Sequence, residues 1–569
     1  MPRPARRFGI AAALALAVLA APHARAEDGL AGAYLAARSA SGSSDYEAAA
    51  QYYTMALVLD PSNAVLMESA AISQVALGRL DLAVPVARRL REVAPGNQIA
   101  ELVLLASDLA AGEYAAVAEG YAGDRSVGPL VDGLIRAWVQ LALGNAGDAL
   151  TLFDALIADP ALAPFGAYHK ALALALVGDF EGAEALFSGE GGAEFAPTRR
   201  GVVAHVEVLT QLERYDDALA QIDRAFGADP DPTVQALRAR VESRQSMPFD
   251  LIASPRDGLA EVFFTVAGAL AGEADDSYTL VYARLAEALS PGHTDAVLLS
   301  ASILERQEQF DLATAAYNSI GRDDPAFHLA ELGRAEALRS SGKTEAAIEV
   351  LTQLARTHPD LPDVQRALGD ILRAEERFDE AVAAYDTAIA ALPGENPSHW
   401  VLYYVRGISH ERGKRWEQAE RDFRKALELS PDQPQVLNYL GYSYLEMDQN
   451  LDEALGMIER AVEQRPDDGY IVDSLAWALY RLGRYEEAVA PMERAAALMP
   501  VDPIVNDHLG DVYWAVGRRN EAEFQWRRAL SFGPEDEDAT RIRRKLEVGL
   551  DVVLAEEGEK PVAVANDGG

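Results

Sequence analysis

Proline recurs on a fixed beat in this chain. Pro291, Pro325, Pro359 and Pro393 stand 34 residues apart. After one step of 38, Pro431, Pro466, Pro500 and Pro534 follow at 35, 34 and 34, and Pro61 and Pro95 keep the same interval. A period of this size commits a chain to stacked supersecondary units, none of which can bury its apolar face alone. The functional question then shifts from which residues catalyse to which surface stays free for a partner.

The period has internal lettering. With Gly510 counted as position 8, Ala522 falls at position 20, Trp526 at 24, Ala529 at 27 and Pro534 at 32. The unit ending at Pro500 repeats this with Ala476, Ala488, Met492 and Ala495, and the unit ending at Pro431 with Gly407, Ala419, Phe423 and Ala426. The unit ending at Pro466 has Gly441, Ala454, Ile458 and Ala461, with one extra residue around Asp448-Gln449-Asn450. Apolar residues at intervals of three and four form a stripe on a helix. Small residues at 8, 20 and 27 let two antiparallel helices approach closely, and the large residue at 24 fills the space beside them. Proline stops the second helix, and Gly413, Gly483 and Gly517 are expected in the short turns, where positive φ is needed. The pattern resembles the tetratricopeptide repeat, a 34-residue helix–turn–helix. The expected fold is therefore an all-α solenoid wound as a right-handed superhelix.

The frame continues upstream with weaker lettering. Position 8 falls on Gly369, Ala335, Ala301 and Ala267, and position 20 on Ala381, Ala347, Ala313 and Thr279. Ala37, Ala49, Tyr53, Ala56 and Pro61 fit, as do Ala71, Ala83, Ala87 and Pro95, and then Val206, Ala218, Ile222, Ala225 and Pro230. Residues 100–200 are alanine-rich and lose the register, although Ala149-Phe153 and Ala183-Phe187 keep the 20-to-24 pair. The step from Val206 to Ala267 is seven residues short of two repeats. Two readings stand: an irregular seam at 231–260 between an N-terminal superhelix (27–230) and a C-terminal array (261–535), or one continuous solenoid with a degenerate repeat. Ile542, Leu546, Leu550 and Val553 share a helical face, so 536–555 is expected to cap the stack. Residues 556–569 are polar and small, the composition of a disordered tail.

Composition bounds the function. Residues 1–26 combine a basic start, a short apolar run from Ile10 to Ala21 and Ala24-Arg25-Ala26, the pattern of a cleaved secretory signal. Arg6-Arg7 hints at twin-arginine export, but Gly9 stands where that route wants a bulky residue, which favours general secretion. No later stretch is apolar enough to span a bilayer. The chain has no cysteine, which excludes disulfides, thiol catalysis, thiolate metal sites and a cysteine-borne lipid anchor. A soluble periplasmic or secreted protein is the expectation. Net charge is -38, which argues against nucleic acid as a partner and suits a soluble solenoid or a basic partner.

No catalytic, cofactor or metal site is expected. There is no phosphate-binding glycine loop, nucleophile elbow or HExxH signature. The acidic run Asp448 to Asp452 lacks the glycine and final glutamate of a calcium loop. The nine histidines show no metal-ligand spacing, and surface or turn positions are expected for them. Repeats fill nearly all of the chain after residue 27, leaving no room for a catalytic domain.

In this fold the first helix of each repeat lines the concave face through positions 2, 5, 9 and 12. In the last repeats that gives Tyr404, Ile408 and Glu411, then Asn438 and Tyr442, then Asp473, Trp477 and Tyr480, then Asp507, Asp511 and Trp514. Aromatic residues there offer contact area with a polar edge, and Asn438, Asp473 and Asp507 suit an extended peptide backbone. Acidic residues at positions 5 and 9 would repel a terminal carboxylate. The stretches Leu437–Tyr444, Asp473–Gly483 and Asn506–Trp514 resemble a proteobacterial family of envelope tetratricopeptide proteins. That family includes lipoprotein adaptors of a carboxyl-terminal processing protease, so the resemblance implies an adaptor role, without the anchoring cysteine. The expected function is a non-enzymatic scaffold or adaptor binding proteins or extended peptides. The alternative is a structural subunit of a larger envelope complex that presents no client.

Overall fold

The computed structural model describes residues 26–123, 125–189, 198–227 and 231–559. Most of the expected signal segment and the tail from residue 560 onward lie outside the described residues. Among the described residues there are thirty-one α-helices, one short 3-10 turn and no strand. The chain divides into two compact units meeting at residues 354 and 355.

The helices start and stop for local reasons. Asn63, Asn97, Asp468 and Asp502 each stand at an N-cap and accept a backbone N–H of the first turn, satisfying a donor the helix cannot. Gly483 and Gly517 take φ of 73° and 80° in their turns. Gly413 does not: its φ is -78°, and Lys414 beside it adopts the left-handed conformation instead. The close approach expected at position 8 is present. A Cβ on Gly407 would come within 2.7 Å of the Phe423 ring, and one on Gly441 within 2.8 Å of Ile458 and 2.9 Å of the Ala454 carbonyl. Gly369 and Gly510 are crowded in the same way by Tyr385 and Trp526. Each large residue at position 24 thus packs on the bare backbone of its own first helix.

The first unit uses its concave face for itself. The helix Pro232–Glu242 occupies part of the expected seam, and the stretch 243–254 leads into the helix pair Pro255–Leu270 and Asp276–Leu289. Pro255–Leu270 packs on Pro129–Ala142 and Ala163–Leu176, and Asp276–Leu289 on Ala64–Ala76 and Gln98–Ala110. All four of these are first helices of their repeats. Gly258 sits so tightly on the Trp138 indole that no Cβ fits. Tyr46 reaches forward to donate to Gln307 at 2.8 Å, and Arg284 donates to the Ala76 carbonyl at 3.2 Å. The compact unit therefore runs through 231–260 and beyond.

A buried polar cluster fastens this pair. Glu261, 1% exposed, accepts the Tyr168 hydroxyl at 2.8 Å, Arg200 Nε at 3.0 Å and His293 Nε2 at 3.1 Å. Burial would raise its carboxyl, but the Arg200 guanidinium outweighs that and holds it well below the usual range. Trp138 Nε1 donates to His169 Nδ1 at 3.0 Å, and His169 Nε2 faces Thr265 Oγ1 at 3.2 Å. Burial lowers His169 to about 4, so it is a neutral bridge. The expectation that histidines lie at surfaces or turns fails for His169, His205 and His328, which are buried within helices. His169 is tolerated there because both ring nitrogens are engaged.

In the second unit the end of the stack is covered by two helices, Asp536–Val548 and Leu550–Glu556, hinged at Gly549 with φ 85°. Ile542, Leu550, Val553 and Leu554 are their buried contacts.

Candidate functional site: the concave face of the second unit

The first helices that carry the expected groove residues are Trp400–Arg412, Pro434–Glu446, Gly469–Arg481 and Pro503–Ala515. Position 5 carries Tyr404, Asn438, Asp473 and Asp507, and position 9 carries Ile408, Tyr442, Trp477 and Asp511.

Several expected partner contacts are taken up internally. The Asp507 and Asp511 carboxylates hold the Lys545 ammonium at 2.7 to 2.9 Å. Lys545 and Asp511 are each only 1% exposed, and Asp511 also accepts Trp526 Nε1 at 2.9 Å. Trp514 is buried, with its Nε1 donating to Asp551 at 3.0 Å and its ring against Gly549. These three residues therefore seat the terminal helices. Asp473 is paired with His508 Nδ1 at 3.0 Å. Burial would lower that imidazole, but the Asp473 carboxylate raises it above its ordinary value. An acid at position 5 thus meets a basic side chain of the next repeat's first helix in one case, and of the terminal helix Asp536–Val548 in the other. Tyr480 is buried and stacks on Trp477 at 4.8 Å.

Part of the expected face lines an open aromatic cleft of about 470 Å³, with Tyr404 and Trp477 outside its lining. Asn438, Tyr442 and Asp473 line it together with Glu411, Trp416 and Tyr439. Asn438 Oδ1 and Trp416 Nε1 are buried polar atoms that find no hydrogen-bond partner among the described residues. Trp477 is half-buried, stacked face to face on His508 at 4.0 Å, and its Nε1 donates to Glu446 at 3.3 Å. Tyr404 stands at one side, edge-on to Tyr439 at 5.9 Å. Burial raises the Tyr442 and Tyr404 hydroxyls above their ordinary value. Trp416 and Glu446 lie outside the expected groove positions, and two exposed apolar residues of the cleft were not expected by name: Tyr470, 63% exposed, and Ile504, 38% exposed. Both stand at position 2, so the period already held the signal. Apolar rings left in water beside unpaired polar atoms are what a binding face presents.

This geometry defines a helical-repeat solenoid with one aromatic concave face exposed. The tetratricopeptide repeat family matches residues 332–396, 404–469 and 440–503, so this part of the chain is built of tetratricopeptide repeats. A TPR repeat-containing protein of Pseudomonas aeruginosa is 28% identical over 182 residues, which is 31% of this chain and 30% of that one. Tetratricopeptide repeat protein 13 of Homo sapiens is 27% identical over 179 residues, 31% of this chain and 20% of that protein. The chain therefore spans less than a third of the length of these curated relatives. Among solved structures, the Cut9–Hcn1 hetero-tetramer of the APC/C aligns over 95% of this chain and 99% of that chain, at 15% identity and a TM-score of 0.39.

Proposed function

We propose that the protein is a non-enzymatic scaffold of the cell envelope space, exported by its N-terminal leader, and that its second unit captures partner proteins through the cleft. The observation that carries this reading is the exposure of Tyr470 and Ile504 in the same open cleft as Tyr442. The resemblance to envelope adaptors and the signal-like residues 1–26 support the location and a role in envelope assembly or proteolysis.

The test is affinity capture from periplasmic extract, comparing the wild type with a Tyr442→Ala/Tyr470→Ala/Trp477→Ala variant whose circular dichroism and melting show intact helices. Loss of specific partners is expected. An unchanged partner set would refute the groove assignment. Co-purification in a fixed-stoichiometry assembly untouched by these substitutions would favour the structural-subunit alternative.

A further inference from the structure

The second unit already holds one positive side chain, and the way it does so points to what the open cleft takes. The Lys545 ammonium lies against two carboxylates, Asp507 and Asp511, with the Trp526 ring 5.8 Å away. Carboxylates with an aromatic face form a strong site for an organic cation. The cleft in the earlier repeats contains the same ingredients with no lysine. Glu411 and Glu446 end two successive first helices, and both line the cleft with Trp416, Tyr439 and Tyr442. Tyr439 donates its hydroxyl to Glu411 at 3.0 Å.

Among the described residues Glu411 has no ion pair. Asp473 is paired with His508, Arg481 is held by Asp448 at 2.9 Å and stands 3.8 Å from Glu446, and Arg412 is exposed at the rim. Asn438 Oδ1, a buried acceptor with no donor among the described residues, lies in the same cleft, and the net charge of -38 draws basic partners from a distance.

Resting on the groove reading above, we propose that the cleft takes a lysine or arginine side chain from an extended segment of a partner protein. Glu411 and Glu446 receive the charge, and the tyrosine and tryptophan rings receive the aliphatic stem.

The experiment is selection of phage-displayed random 12-residue peptides on the full chain, on a Glu411→Gln/Glu446→Gln variant and on the Tyr442→Ala/Tyr470→Ala/Trp477→Ala variant. All three are first checked for equal melting. Wild type is expected to enrich lysine- or arginine-bearing peptides. The best of them should bind the double-glutamine variant about tenfold more weakly, the loss of a charge-assisted contact. Enrichment without basic residues, or equal binding by the double-glutamine variant, overturns the cation assignment. If the aromatic variant alone loses the peptides, the groove stands and the cation site falls. If neither variant loses them, the groove itself is wrong.

Discussion

The two units share one repeat grammar and differ in what covers their first helices. In the first, Gln98–Ala110 is buried on nearly every side, from Ile99 through Ala106 and at Leu109, because the chain lays its own later helices on it. In the second, Pro434–Glu446 buries Val436, Leu437, Leu440, Gly441, Tyr444 and Leu445 but leaves Tyr442 and Ser443 half-exposed on the other face. Stacking of small residues fixes the solenoid in both. The sidedness of each first helix decides whether the concave face becomes core or a docking surface.

Four substitutions or conditions would break or sharpen this contrast. Glu261→Ala carries the largest expected effect, because it strips His293 and Tyr168 of their buried acceptor and leaves Arg200 with Asp295 alone. It should destabilise the first unit by about 3–5 kcal/mol. Hydrogen exchange should rise across 255–289 and stay unchanged across 434–515. Lys545→Met does the corresponding damage to the second unit, stranding Asp507 and Asp511. Arg541, at 3.7 Å from Asp511, softens the loss to about 2–4 kcal/mol. Denaturant unfolding should show it in the second unit only. Gly441→Leu forces a side chain into Ile458 and the Ala454 carbonyl, and should cost about 1–3 kcal/mol, measured as a lowered melting temperature.

The smallest effect depends on pH. Burial, assisted by Asp250, raises the Glu207 carboxyl from 4.5 to about 8. Below about 4.5 the group is protonated in folded and unfolded chains alike, so its contribution to stability is whole. As pH rises the unfolded chain releases the proton first, and stability falls until the folded carboxyl ionises near 8, then levels. A loss of about 1 kcal/mol or more over that window is expected. Glu207→Gln should flatten the slope in urea titrations at successive pH values.

The repeat was legible because its constraint is local. A glycine at position 8 and a ring at position 24 belong to one helix pair, so Gly407 with Phe423 and Gly510 with Trp526 were readable within a single period. The folding-back of 255–289 was not, because it joins residues far apart in sequence. Its one local trace was apolarity on every face of residues 99–109, the mark of a helix with no solvent side. The same limit applied to the site. The placement of Asn438 and Tyr442 at the cleft follows from their positions in the repeat. The engagement of Asp507, Asp511 and Trp514 was not, since it depends on Lys545 and Asp551 of the terminal helices. His169 and Glu261 escaped notice because each is satisfied by partners 31 to 96 residues away.

Thiol labelling measures the difference between the units most directly, because the chain has no cysteine of its own. Ala260→Cys places a thiol on the helix that fills the first unit, and Ser443→Cys places one in the cleft of the second. A filled face beside an open one predicts that the thiol at 443 reacts with a disulfide reagent at nearly the rate of a free peptide, while the thiol at 260 reacts only as fast as the first unit unfolds. Rapid reaction at 260 in the folded protein, or protection at 443 without a partner, would contradict the account.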